Sequence, residues 1–154
     1  MVILARTCAA VGLDLVVRAY PSGDPVRDVA QVTLLDRLRR RLPPTIPWRL
    51  EVPLPIPGDL RAWDAVIGPA GSETALEAET RVADLQALER RINRKQRDGR
   101  VDRVVILIAD TRANRRALAL GRDALRATYP LDTREILAAL GDAQQPAANG
   151  IVIL

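Results

Sequence analysis

The chain has 154 residues, the length of one domain, with 23 Lys and Arg against 19 Asp and Glu for a formal net charge of +4. It has no histidine and one cysteine, Cys8, which excludes an internal disulfide, His- or thiolate-held zinc, and Ser/His or Cys/His catalysis. Any metal must then be held by oxygen, which points to Mg²⁺, Mn²⁺ or Ca²⁺.

In chain order, residues 2–11 read as a short helix or helix remnant, and Leu13–Tyr20 as a strand. Pro21 to Pro25 is a turn cluster in which Asp24 can cap the next helix, with Pro25 at its first position. That helix is predicted over Val26–Leu42 from the period of Val26, Val29, Ala30, Leu34, Leu35, Leu38 and Leu42, and Pro43-Pro44 stops it. Trp48–Leu54 reads as a strand in which Pro53 marks a sheet edge or the strand's end. Leu60–Ile67 and Thr74–Glu79 read as two further strands joined through the turn GPAGS. A helix over Arg81–Arg97 buries Val82, Leu85, Leu88 and Ile92, and Asp98-Gly99 closes it. The apolar run Arg103–Ala109 fits a strand covered on both faces. Asp110 and Thr111 read as the cap of a helix running to about Ala127, followed by a short helix from Asp132 to Leu140 and a last strand over Ile151–Leu154. Residues 1–12 are taken as a helix or linker remnant, and residues 13–154 as a single domain. The fold class is α/β, a mixed sheet flanked by helices.

With no Phe, the core must come from Leu, Val, Ile and Ala. The basic balance favours acidic partners such as nucleic acid, although an arginine skew with Lys95 as the only lysine also follows from genome base composition. No apolar run is long enough to cross a bilayer, and the start is too short for a signal-peptide core, so the expected compartment is the cytoplasm with no membrane partner.

Three acids stand out. Asp64 lies within an apolar strand, and Glu77 and Glu79, two residues apart in the next strand, share one face while Leu76 and Ala78 take the other. If the two strands are neighbours, Asp64 lies beside Glu77. Converging carboxylates must protonate or be held by a cation. One reading is a Mg²⁺ site with Asp64 and Glu77 as ligands and Glu79 orienting or deprotonating the attacking water. The other is a set of solvent-exposed acids on the polar face of a half-covered sheet, the class to which Glu51 and Glu73 are assigned. Arg90, Arg94 and Arg97 on one helix, and Arg112 and Arg115 on the next, are candidate phosphate contacts or solvated faces. Gln86, Arg90, Asn93 and Arg97 share one side by helical spacing. Aromatic residues are too few for a base-stacking platform, and Trp48 and Trp63 read as packing residues.

The order helix, three strands, helix, strand over residues 26–110, with Asp64 in RAWDAV and Glu77 in EAE, resembles the PD-(D/E)xK nuclease superfamily. The resemblance implies a restriction-endonuclease-like αβββαβ core, a Mg²⁺ cofactor, catalytic roles for Asp64, Glu77 and Glu79, and Gln86 as a polar helix residue near the site. It departs from the family pattern at Glu79, where members usually carry lysine. Arg81 and Lys95 are the nearest substitutes, with Lys95 several turns along the helix and expected to lie distant. A second resemblance rests on GLDLVVRAYP, VPLPIPGDLRAWDAVI, EAETRVADLQALERRI and IADTRANRRAL, which look like the C-terminal domain of Xre-family helix-turn-helix regulators. It implies a link to transcription regulation, with the helix-turn-helix itself absent from this chain. The functional expectations are therefore a nuclease-fold accessory module, catalytically degenerate, that binds DNA backbone or a protein partner; a Mg²⁺-dependent endonuclease; or a homodimerisation domain.

Overall fold

The computed structural model describes residues 29–154. The expected helix and strand over residues 2–20, the Pro21–Pro25 turn, the Asp24 cap and the remnant at 1–12 lie outside them. Helix α1 spans Val29–Arg39 and is followed by strands β1 (Trp48–Pro53), β2 (Ala62–Ile67) and β3 (Thr74–Glu79). Helix α2 (Leu85–Gly99), strand β4 (Arg103–Ile108), helices α3 (Arg112–Leu120), α4 (Arg122–Thr128) and α5 (Thr133–Gly141), and strand β5 (Gly150–Ile153) complete the order. The five strands form one mixed sheet in the order β1-β2-β3-β4-β5. The β1–β2 and β2–β3 pairs are antiparallel, and the β3–β4 and β4–β5 pairs are parallel. The class is thus α/β, a mixed sheet flanked by helices. Among the described residues no helix is long and apolar enough to cross a membrane.

Alternation along the strands builds two cores, one on each face. Leu76, Ala78, Val105 and Leu107 face Leu34, Leu35 and Leu38 of α1 and Ile136 and Leu140 of α5. Ala75, Val104, Ile106 and Ile108 face Leu88 and Ile92 of α2, with Trp63, Leu125 and Tyr129 around them. The run in β4 is continuous because both of its faces are covered.

Helix boundaries differ from the sequence expectation for local reasons. Helix α2 begins at Leu85, not Arg81, because Asp84 is its cap and accepts from Ala87 N. Val82 stays outside it, its N–H donated to Asn114 Oδ1 at 2.9 Å. The helix expected from Thr111 to about Ala127 is two, α3 and α4, divided at Gly121, which packs directly against Leu85. Thr111 does cap α3, accepting from Asn114 N, whereas Asp110 pairs with Arg115 instead of capping. Helix α5 carries a full capping box between Asp132 and Glu135.

The outer side of β5 is covered by the chain that precedes it. Ile151 N–H donates to Leu131 O at 3.0 Å and Ile153 N–H to Thr133 Oγ1 at 2.9 Å. Gly150 makes this close approach possible: a Cβ there would stand 2.6 Å from Leu131 O and 2.5 Å from Ile136 Cδ1. Gly150→Ala is therefore expected to destabilise the fold by about 2 kcal/mol through overpacking. The check is urea unfolding, where the midpoint should fall at unchanged m-value; an unchanged midpoint would mean that the loop moves aside at no cost.

Candidate functional site

The pairing of β2 with β3 runs from Ile67↔Thr74 to Ala65↔Leu76 and stops there. The next residues, Asp64 and Glu77, stand where the strands part. The main chain of Ala78, which would otherwise pair with β2, is bonded by side chains instead. Asp64 Oδ2 accepts from Ala78 N at 2.8 Å, and Gln31 Nε2 of α1 donates to Ala78 O at 3.0 Å. Across β2, the position between the Leu50↔Ala65 and Val52↔Trp63 pairs is Glu51, held in the left-handed region at φ 52°. A non-glycine residue adopts that conformation at a cost, so the backbone is held bent beside the fork.

Glu77 and Glu79 both project toward α2, as alternation requires. Glu77 Oε1 accepts from Lys95 Nζ, and Glu79 Oε1 from Arg91 Nη2. Lys95 also lies 4.8 Å from the centroid of the Trp63 ring. Glu77, Lys95 and Trp63 are all buried, at 5%, 8% and 2% exposure. Burial pushes the Glu77 carboxyl up to about 7; Lys95 opposes that rise and neighbouring Asp64 adds to it. Burial also raises Glu79, against the pull of Arg91. The repulsion among the three acids is thus relieved twice over, by cations from α2 and by the ease with which Glu77 takes a proton.

Lys95 is therefore not distant from the acids. Strand β3 ends at Glu79 and α2 runs back over it. One helical turn of four residues covers about 6 Å. Two strand residues cover about 6.6 Å. Arg91 thus meets Glu79, and Lys95, four residues later, meets Glu77, two residues earlier. Arg91 and Gln31 also belong to the site, beyond the residues expected from the sequence. The i, i+4 spacing of Arg91 and Lys95 against the i, i+2 spacing of Glu77 and Glu79 was the available signal.

Gln86 corrects the expectation in the other direction. It is exposed and lines a separate groove with Asp84, Ala117 and Gly121, away from the side of α2 that carries Arg91 and Lys95. The candidate phosphate contacts do not border the acids either. Leu88, Ile92, Lys95 and Gly99 form the inner face of α2, so Arg90, Arg94 and Arg97 lie on its outer, exposed face. Arg97 pairs with Asp98. Arg112 and Arg115 are exposed on α3, and Arg115 holds Asp110, whose carboxyl it lowers.

Among the described residues no three His, Cys, Asp or Glu side chains are grouped to hold a metal ion. One oxygen of Asp64 and one of Glu77 already carry protein hydrogen bonds, and an ammonium stands at Glu77. As arranged, this donor set does not fit a divalent cation. No family model matches the chain, and neither the curated proteins nor the solved structures contain a match to it.

Proposed function

We propose that this chain is a nuclease-like accessory module, tied to transcription regulation, that binds nucleic-acid backbone without cutting it. The observation that carries the catalytic silence is the internal matching of the acids: Asp64 on Ala78 N–H, Glu77 on Lys95, Glu79 on Arg91. Backbone binding is supported by exposed arginines with no acidic partner among the described residues, notably Arg90 and Arg94 on the outer face of α2. The link to regulation rests on the Xre-like phrases.

The test is the anisotropy of a labelled DNA duplex titrated at several salt concentrations. Binding should weaken linearly in log–log form and be indifferent to sequence. Losing two phosphate contacts in an Arg90→Ala/Arg94→Ala variant should flatten the slope by about 2. Binding that ignores salt, or an unchanged slope in the variant, would remove the nucleic-acid part of the reading.

A second reading, a Mg²⁺-dependent endonuclease, is favoured by one observation: Lys95 stands on Glu77, supplying an amine that the strand position occupied by Glu79 lacks. It requires the contacts of Asp64 and Glu77 to open. Mg²⁺ at a hundredfold its Kd would then stabilise the protein by about 2.7 kcal/mol. That gain should vanish in Asp64→Asn, and plasmid cleavage should depend on the ion. Absence of both effects leaves the binding module.

A further inference from the structure

At the β5 end of the sheet, on the opposite flank from β1 and the β2–β3 fork, a cleft of about 470 Å³ opens between the α3–α4 pair and the start of α5. Its size falls in the range of small-molecule pockets. Leu118, Leu131, Ile151 and Ile153, all half-buried, provide an apolar lining. Two exposed arginines stand at its wall, Arg122 and Arg126, four residues apart and so on one side of α4.

The charges around the cleft are not equally available. Arg115 is occupied by Asp110 through two hydrogen bonds. The acids Asp132 and Glu135 are committed to the first turn of α5: Asp132 accepts from Arg134 N and Glu135 N, and Glu135 accepts from Asp132 N. Arg122 and Arg126 have no acidic partner among the described residues. The cleft therefore offers a ligand apolar surface and two uncommitted guanidinium groups. A neutral apolar molecule would leave both arginines unanswered, and a small inorganic anion would leave the lining wet.

We propose that this cleft binds a single-chain amphiphile with an anionic head, the head held by Arg122 and Arg126 and the alkyl chain laid on Leu118, Leu131, Ile151 and Ile153. Guanidinium pairs suit carboxylate and phosphate monoester alike, because both present two oxygens to parallel N–H donors. The proposal is independent of the nucleic-acid reading, since the arginines tested there lie on α2.

The experiment is isothermal titration calorimetry of the full chain with decanoate and with decyl phosphate, both below their micellar concentrations, and with decanol as the neutral control. One site per chain is expected for at least one of the anions, and the tighter of the two names the preferred head group. Decanol should bind at least tenfold more weakly. An Arg122→Ala/Arg126→Ala variant should lose at least tenfold in affinity at an unchanged melting temperature, and Arg116→Ala, on exposed α3 surface outside the cleft, should not. No saturable binding of either anion, binding of many copies per chain, or undiminished affinity in the double variant would overturn the proposal.

Discussion

Lys95→Met is expected to cost about 3–5 kcal/mol of stability near pH 8.5 and far less near pH 5. The substitution keeps most of the length and the apolar character of the stem but leaves Glu77 buried with no cation. An uncompensated carboxylate in that position must either stay charged at high cost or take up a proton, whose cost grows with pH. The sign follows from the direction of the Glu77 shift. Its folded-state value of about 7 lies above the ordinary 4.5, so the native protein binds the extra proton between those values. Stability from this group is therefore highest at low pH, falls as pH rises through that window, and levels off above it. Removing Lys95 removes the influence that holds the value down, so the decline continues to higher pH. In a chain of this size the loss near pH 8.5 corresponds to a melting point lower by about 10 °C. Adding Glu77→Gln should restore most of the stability, because exchanging both partners removes the buried charge altogether. The cycle is read by urea unfolding at both pH values. A pH-independent loss, or a double variant no better than the single one, would show that Lys95 contributes by packing and not by its charge.

Trp63→Ala should destabilise the protein by about 3–5 kcal/mol and also change the chemistry beside it. The ring lies in the α2-side core with Leu54, Val66 and Ile92, is nearly inaccessible, and supports Lys95 on its face. Truncation opens a cavity next to a buried ion pair, a polar environment in which water is stable. Burial is the largest cause of the raised Glu77 value, so hydration should return it toward the ordinary carboxylate range. A carbon-detected NMR titration of the Glu77 carboxyl checks this, with stability measured on the same sample. A titration midpoint that stays near 7 in the variant would mean that the desolvating groups are elsewhere.

The fold was legible where one periodicity dominated. Thr74–Glu79 matches its expected bounds because six residues alternate between two faces, and the β4 run has no polar residue after Arg103 to place on a surface. Helix ends were harder. The expected start at Arg81 follows from Val82, which continues the apolar stripe backwards, whereas α2 starts after its Asp84 cap and the Val82 N–H is given to Asn114. Gly121 gave no signal for dividing α3 from α4, since its reason for being small is the contact with Leu85 from another helix. At the candidate site, the shared face of Glu77 and Glu79 followed from alternation. Their partners did not, because which residues of α2 meet them depends on the helix returning over the strand. The part Asp64 plays at Ala78 N–H was not readable either, since it depends on where the ladder between β2 and β3 ends.

The hydrogen bonds that the segment before β5 makes to that strand have a consequence for self-association. A sheet extends by recruiting a foreign strand to unpaired N–H and C=O groups at its rim. At one rim Ile151 and Ile153 have already given their N–H groups to Leu131 and Thr133 of the same chain. At the other rim of the described sheet, β1 ends in Pro53, which has no N–H to offer, and holds Glu51 at a positive φ of 52°. Among the described residues, neither rim is a good template for edge-to-edge pairing.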